Sequence, residues 1–69
     1  MKEQEYLKEM GAKIKATRKA RKMSLAEMSR RCKTDTSNLW RVENGEKNTR
    51  ILTLRSVAAV LGVEIKDFL

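Results

Sequence analysis

Apolar residues recur at intervals of three and four through most of the chain. Leu7, Met10 and Ile14 form a first stripe, which predicts a helix over about residues 3–21 with one core-facing side. Met28 and Cys32 stand four apart and predict a second, shorter helix over about 25–32. It opens on Ser24-Leu25-Ala26-Glu27, a capping box: the Ser24 hydroxyl can accept from the backbone N–H of Glu27 while the Glu27 carboxylate reaches back to the N–H of Ser24. Asp35 is a good N-cap for a third helix over about 36–44, which Leu39 and Val42 anchor and Asn44-Gly45 ends. After a polar loop, Ile51, Leu54, Val57, Ala58 and Leu61 give the strongest stripe, stopped by Gly62. That helix starts either after Arg50, with weak capping, or later, with Thr53 as its cap. Val63, Ile65, Phe68 and Leu69 suggest a short fifth helix. With no Pro and no alternating β-branched run, the pattern predicts an all-α, compact five-helix bundle forming one domain over residues 1–69.

Residues 25–44 read as helix, three-residue turn, helix. The two helices must approach closely, which suits the small Ser29. With Leu39 and Val42 turned inward, Trp40, Asn44, Ser37 and Arg41 fall together on the outer side of the third helix, roughly 100° to 200° from Leu39. Thr36 stands at the N-terminal entrance. Arg41 has the geometry to read guanine in a DNA major groove, and Ser or Thr can contact bases or phosphates. The helix dipole favours phosphate near Asp35–Ser37, although the Asp35 carboxylate opposes it.

Charge sharpens this. The chain of 69 residues carries 16 Lys+Arg against 9 Asp+Glu, a net charge of +7, and the whole excess lies in residues 1–33. A polyanion is the natural partner, nucleic acid before an anionic membrane surface. Enzyme chemistry is poorly supplied: there is no His, one Cys and no glycine-rich phosphate loop, so the usual nucleophile and base pairs cannot be assembled. One Cys also excludes an intrachain disulfide and a four-ligand zinc site, and Cys32 reads as a small core residue. No cofactor, metal or small-molecule ligand is expected. The absence of long apolar stretches and of a secretory signal pattern points to a cytoplasmic protein.

Met10-Gly11, Ile14, Arg18, Met23-Ser24, Met28, Leu39, Val42-Glu43-Asn44-Gly45, Asn48, Leu54, Ala58, Leu61-Gly62-Val63 and Phe68-Leu69 keep a register, without insertion, that resembles the Cro/lambda-repressor type helix-turn-helix family. The resemblance spans about residues 10–69. It implies a sequence-specific double-stranded-DNA-binding transcriptional regulator, a repressor before an activator, working as a homodimer on a palindromic operator. It implies base reading by Thr36 and Ser37, joined on the same face by Arg41 and by Trp40, which stands where the family often has a small polar residue. It implies phosphate contact by Asn44, Lys47, Asn48 and Arg50, and Ser24, Lys33 and Asn38 are further phosphate candidates. Arg18 and Glu43 match a structural ion pair between the first and third helices. Ile65, Phe68 and Leu69 are candidates for the dimer interface. Three positions depart from the family pattern: Leu25 stands where Gln is usual, and Lys22 and Lys33 stand where Gly is usual. Lys33 is then expected to accept a left-handed backbone. RNA polymerase is a further candidate partner. The rival readings are an antitoxin with a toxin partner, and an interaction module that has lost DNA binding.

Overall fold

A computed structural model describes residues 2–69. Four α-helices follow one another: α1 (Glu3–Ala20), α2 (Leu25–Cys32), α3 (Thr36–Glu43) and α4 (Ile51–Leu61). The expected fifth helix is a single 3-10 turn, Ile65–Phe68. Its apolar anchors Ile65 and Phe68 are three apart, the repeat of a 3-10 turn rather than of an α-helix. Glu64 and Asp67 close it, with the Glu64 N–H donating to Asp67 Oδ2 at 3.0 Å. α1 packs on α3 and on the 3-10 turn, while α2 lies against α3 and α4.

Leu7, Met10, Ile14, Met28, Leu39, Val42, Leu54, Val57, Ala58, Leu61 and Phe68 form one core, joined by Met23 and Cys32. The stripes of α1 to α3 therefore face inward as their spacing predicts. Ile51 does not: it is 58% exposed, and its neighbour Leu52 is 67% exposed. Both sit in the first turn of α4, before the helix reaches the core. That helix begins after Arg50 with no side-chain cap, so Thr53 is not its N-cap.

At the start of α2 the Ser24 hydroxyl accepts from the Glu27 N–H at 3.0 Å. The reciprocal arm of the expected capping box is missing, because the Glu27 carboxylate turns along the helix to Arg31, 3.6 Å away. Asp35 holds the N-cap position of α3, but its carboxylate does not cap the helix backbone. It takes the Ser37 hydroxyl instead.

All four α-helices end in one way. In each, a residue with positive φ follows the last turn: Lys22 (56°), Lys33 (55°), Gly45 (71°) and Gly62 (73°). The N–H after it returns to a carbonyl five residues back, as Met23 to Arg18, Thr34 to Ser29, Glu46 to Arg41 and Val63 to Ala58, at 2.9–3.2 Å. This is the Schellman closure, which satisfies carbonyls the helix leaves open.

α1 crosses the end of α3 very closely. A Cβ on Gly11 would lie 2.4 Å from the Val42 carbonyl oxygen and 2.5 Å from that of Glu43. Here only the lack of a side chain permits the approach. Arg18, two turns further along α1, then reaches Glu43 twice: Nε donates to Oε2 at 2.7 Å and Nη2 to Oε1 at 3.0 Å. Its third donor, Nη1, bonds the Met23 carbonyl at 2.9 Å. Both ions are buried, and the pair is fork-to-fork, the strongest geometry for such a contact.

Candidate nucleic-acid interface

The turn between α2 and α3 is held by a reciprocal pair. The Thr34 N–H donates to the Ser29 carbonyl at 3.0 Å, and the Ser29 hydroxyl donates to the Thr34 carbonyl. Ser29 is buried, and only a small side chain could sit there without pushing α3 away. Thr36 adds a third link by donating its hydroxyl to Ser29 Oγ at 3.0 Å. The angle between the two helices is thus fixed by hydrogen bonds as well as by Met28 and Leu39 in the core.

With Leu39, Val42 and Glu43 buried, the remaining face of α3 is open. Thr36, Ser37, Trp40 and Arg41 are all exposed and lie together on it, as does Asn44 just beyond its end. The Trp40 indole is 50% exposed. An indole in water is unfavourable unless it meets a partner, and the described residues leave half of this one open. Asn44 donates its amide to the Trp40 carbonyl at 2.8 Å, closing the end of α3.

Beside α3, Lys33, Thr34, Asn38, Lys47, Asn48, Thr49, Arg50 and Thr53 line a polar cleft of about 340 Å³. Three of these are cations and none is a carboxylate. Lys47 Nζ donates to Asn38 Oδ1, which ties the loop to α3. Five of the seven residues expected to meet phosphate, Lys33, Asn38, Lys47, Asn48 and Arg50, therefore converge on one surface. Ser24 and Asn44 lie elsewhere, at the start of α2 and the end of α3. Ser24 keeps its own hydroxyl proton free, because it only accepts in the helix cap.

Thr34, Thr49 and Thr53 belong to the cleft, though the sequence marks none of them as a binding residue. Isolated threonines in polar segments carry no periodic signal, and only the fold brings them together. Leu25, standing where the related pattern has Gln, leans half-buried against the core. Of the dimer candidates, Phe68 must be withdrawn: it is 2% exposed and packs within the core. Leu69 is exposed, and Ile65 is half-buried beside a groove of about 560 Å³ formed with Arg55, Ala58, Ala59, Val63, Glu64 and Lys66. No helix among the described residues is long and apolar enough to cross a membrane.

Comparison with known proteins adds to this. A helix-turn-helix family model matches residues 14–68. No curated protein matches the chain significantly. Several solved structures superpose well. The restriction-modification controller protein C.AhdI from Aeromonas hydrophila is 22% identical, with a TM-score of 0.89 over 91% of this chain and 96% of that one. The clp gene regulator ClgR from Corynebacterium glutamicum is 24% identical, with a TM-score of 0.88 over 91% of this chain and 67% of that one. A family transcriptional regulator from Vibrio cholerae, also 24% identical with a TM-score of 0.88, covers 97% of this chain but only 38% of its own length. At these identities the likeness is one of fold.

Proposed function

Because the chain belongs to the helix-turn-helix family, whose model it matches over residues 14–68, we propose that it is a transcriptional regulator binding double-stranded DNA sequence-specifically, a repressor acting as a homodimer on a palindromic operator. α3 enters the major groove. Arg41 takes guanine through its forked donors, and Trp40 packs its ring on a thymine methyl or a deoxyribose. Thr36 and Ser37 face bases at the groove entrance. Lys33, Lys47 and Arg50, with Asn38 and Asn48, hold one phosphate strand, and Ser24 and Asn44 reach phosphates at the two ends of the unit. The observation that carries this reading is the convergence of three cations and no carboxylate on a cleft beside an α3 face that exposes Trp40 and Arg41.

Size supports the dimer reading. The longest extent of the chain is 31 Å, and it holds one such helix. Half-sites one helical turn apart are about 34 Å from centre to centre, and on this reading a second copy supplies the second α3. We assign that contact to the groove beside Ile65 together with the exposed Leu69, which follows it in sequence. Occupancy of the operator is the mechanism: the bound dimer excludes polymerase from a promoter.

Selection of bound sequences from a random DNA pool tests the reading. The expected result is a palindrome with half-sites one turn apart, bound by a dimer in sedimentation. Arg41→Ala is expected to lose about 1–3 kcal/mol on that operator and to relax preference at one base pair. No enriched sequence, or equal loss on operator and random DNA, would overturn it.

A further inference from the structure

The hydroxyl groups at the entrance of α3 are wired in one direction. A carbonyl oxygen only accepts, so the contact between the Ser29 hydroxyl and the Thr34 carbonyl takes its proton from Ser29. That spends the one proton Ser29 has. The 3.0 Å contact between Thr36 Oγ1 and Ser29 Oγ therefore takes its proton from Thr36. A carboxylate also only accepts, so Ser37 donates to Asp35. Thr36 and Ser37 are both exposed, and what they turn outward is lone pairs. Rotating either proton outward would set lone pair against lone pair at Ser29 or Asp35.

This polarity decides what the entrance can recognise. Phosphate oxygens are acceptors and bring negative charge, so they find no donor at these hydroxyls and are repelled by the exposed Asp35 carboxylate. In the major groove the exposed donors are the exocyclic amino groups, N4 of cytosine and N6 of adenine. Granted the DNA-binding reading above, on which this rests, we propose that the first turn of α3 selects an exocyclic amino group through the acceptor lone pairs of Thr36 and Ser37, and makes no phosphate contact. Ser37 and Arg41 stand one helical turn apart on the same face. Their backbone positions are then about 6 Å apart along the helix axis, under two base-pair rises of about 3.4 Å. The half-site thus carries a guanine and, within about two base pairs of it, an amino-bearing base read from the other end of α3.

The test uses the selected operator and copies in which a single cytosine is replaced by 2-pyrimidinone, or a single adenine by purine, each lacking only the amino group. Wild type, Thr36→Val and Ser37→Ala are titrated on all of them at several salt concentrations. At one such position wild type is expected to weaken about five- to ten-fold. Thr36→Val or Ser37→Ala is expected to bind the intact and amino-less operators equally, with the salt slope unchanged. Thr36→Ser, which keeps the hydroxyl, retains the discrimination and controls for folding. A response to 2-pyrimidinone assigns cytosine, and a response to purine assigns adenine. The proposal is overturned if wild type tolerates every amino deletion. It is equally overturned if the two variants weaken all sequences alike and lower the salt slope by about one charge, as loss of a phosphate contact does. A wild-type protein that enriches no sequence overturns the DNA-binding reading itself.

Discussion

Arg18 and Glu43 show what a single pair of side chains does for this chain. Each is buried, and Glu43 with the Met23 carbonyl gives every guanidinium nitrogen a partner. Removing one partner leaves the other charge uncompensated in the interior. Glu43→Leu is therefore expected to cost about 3–5 kcal/mol in urea denaturation, and Arg18→Met combined with Glu43→Leu to recover most of that loss. The family pattern made this pair legible before any coordinates, since it names both residues. The Ser29–Thr36 link was not legible: small polar residues have many local partners, and only the backbone path through the turn chooses among them. Cys32 is simpler. Burial pushes its thiol pKa up and closes access to it, so less thiolate forms at neutral pH. Alkylation is expected to be slow in the native protein and fast once urea unfolds it.

At the level of elements, the common ending of the helices is the instructive feature. The left-handed residue is Gly at two ends and Lys at the other two. A lysine there carries a conformational cost of about 1 kcal/mol, so Lys22→Gly is expected to stabilise the fold by up to that amount. The two glycines are not equivalent. A Cβ on Gly62 meets nothing within 4 Å, whereas one on Gly45 would fall 2.7 Å from the Lys8 Cα and 2.8 Å from its nitrogen. Gly62→Ala should cost about 1 kcal/mol and Gly45→Ala clearly more, a ranking that thermal melts of the two variants would check. The helix lengths were readable from apolar spacing because α1 to α3 each bury one stripe. The last element was misjudged as a helix because four apolar residues in seven satisfy several periods at once. Ile51 was misplaced because periodicity marks a side of a helix and says nothing of how far the helix runs past the core.

For the molecule as a whole, charge along the sequence and charge on the surface are different quantities. The chain's excess lies in its first half, yet the cleft beside α3 takes Lys33 from that half and Lys47 and Arg50 from the balanced one. No single segment looks special, and the cluster exists only after folding. If these three cations each neutralise a phosphate, replacing any one with Ala should lower the slope of log K against log salt by about 0.9, with little change in sequence preference. Lys33→Gly joins both scales: it should relieve the left-handed backbone and stabilise the fold while weakening the binding of any DNA. The four-helix framework was thus largely present in the sequence, whereas the cleft was present only as scattered residues.

The half-exposed indole of Trp40 has one more consequence. It is the only tryptophan in the chain, and it lies on α3 outside the core. The protein therefore carries its own optical probe at the surface assigned to DNA. Its emission should respond strongly when a duplex covers α3 and only weakly when the core melts, so one fluorescence titration separates occupation of the interface from loss of the fold.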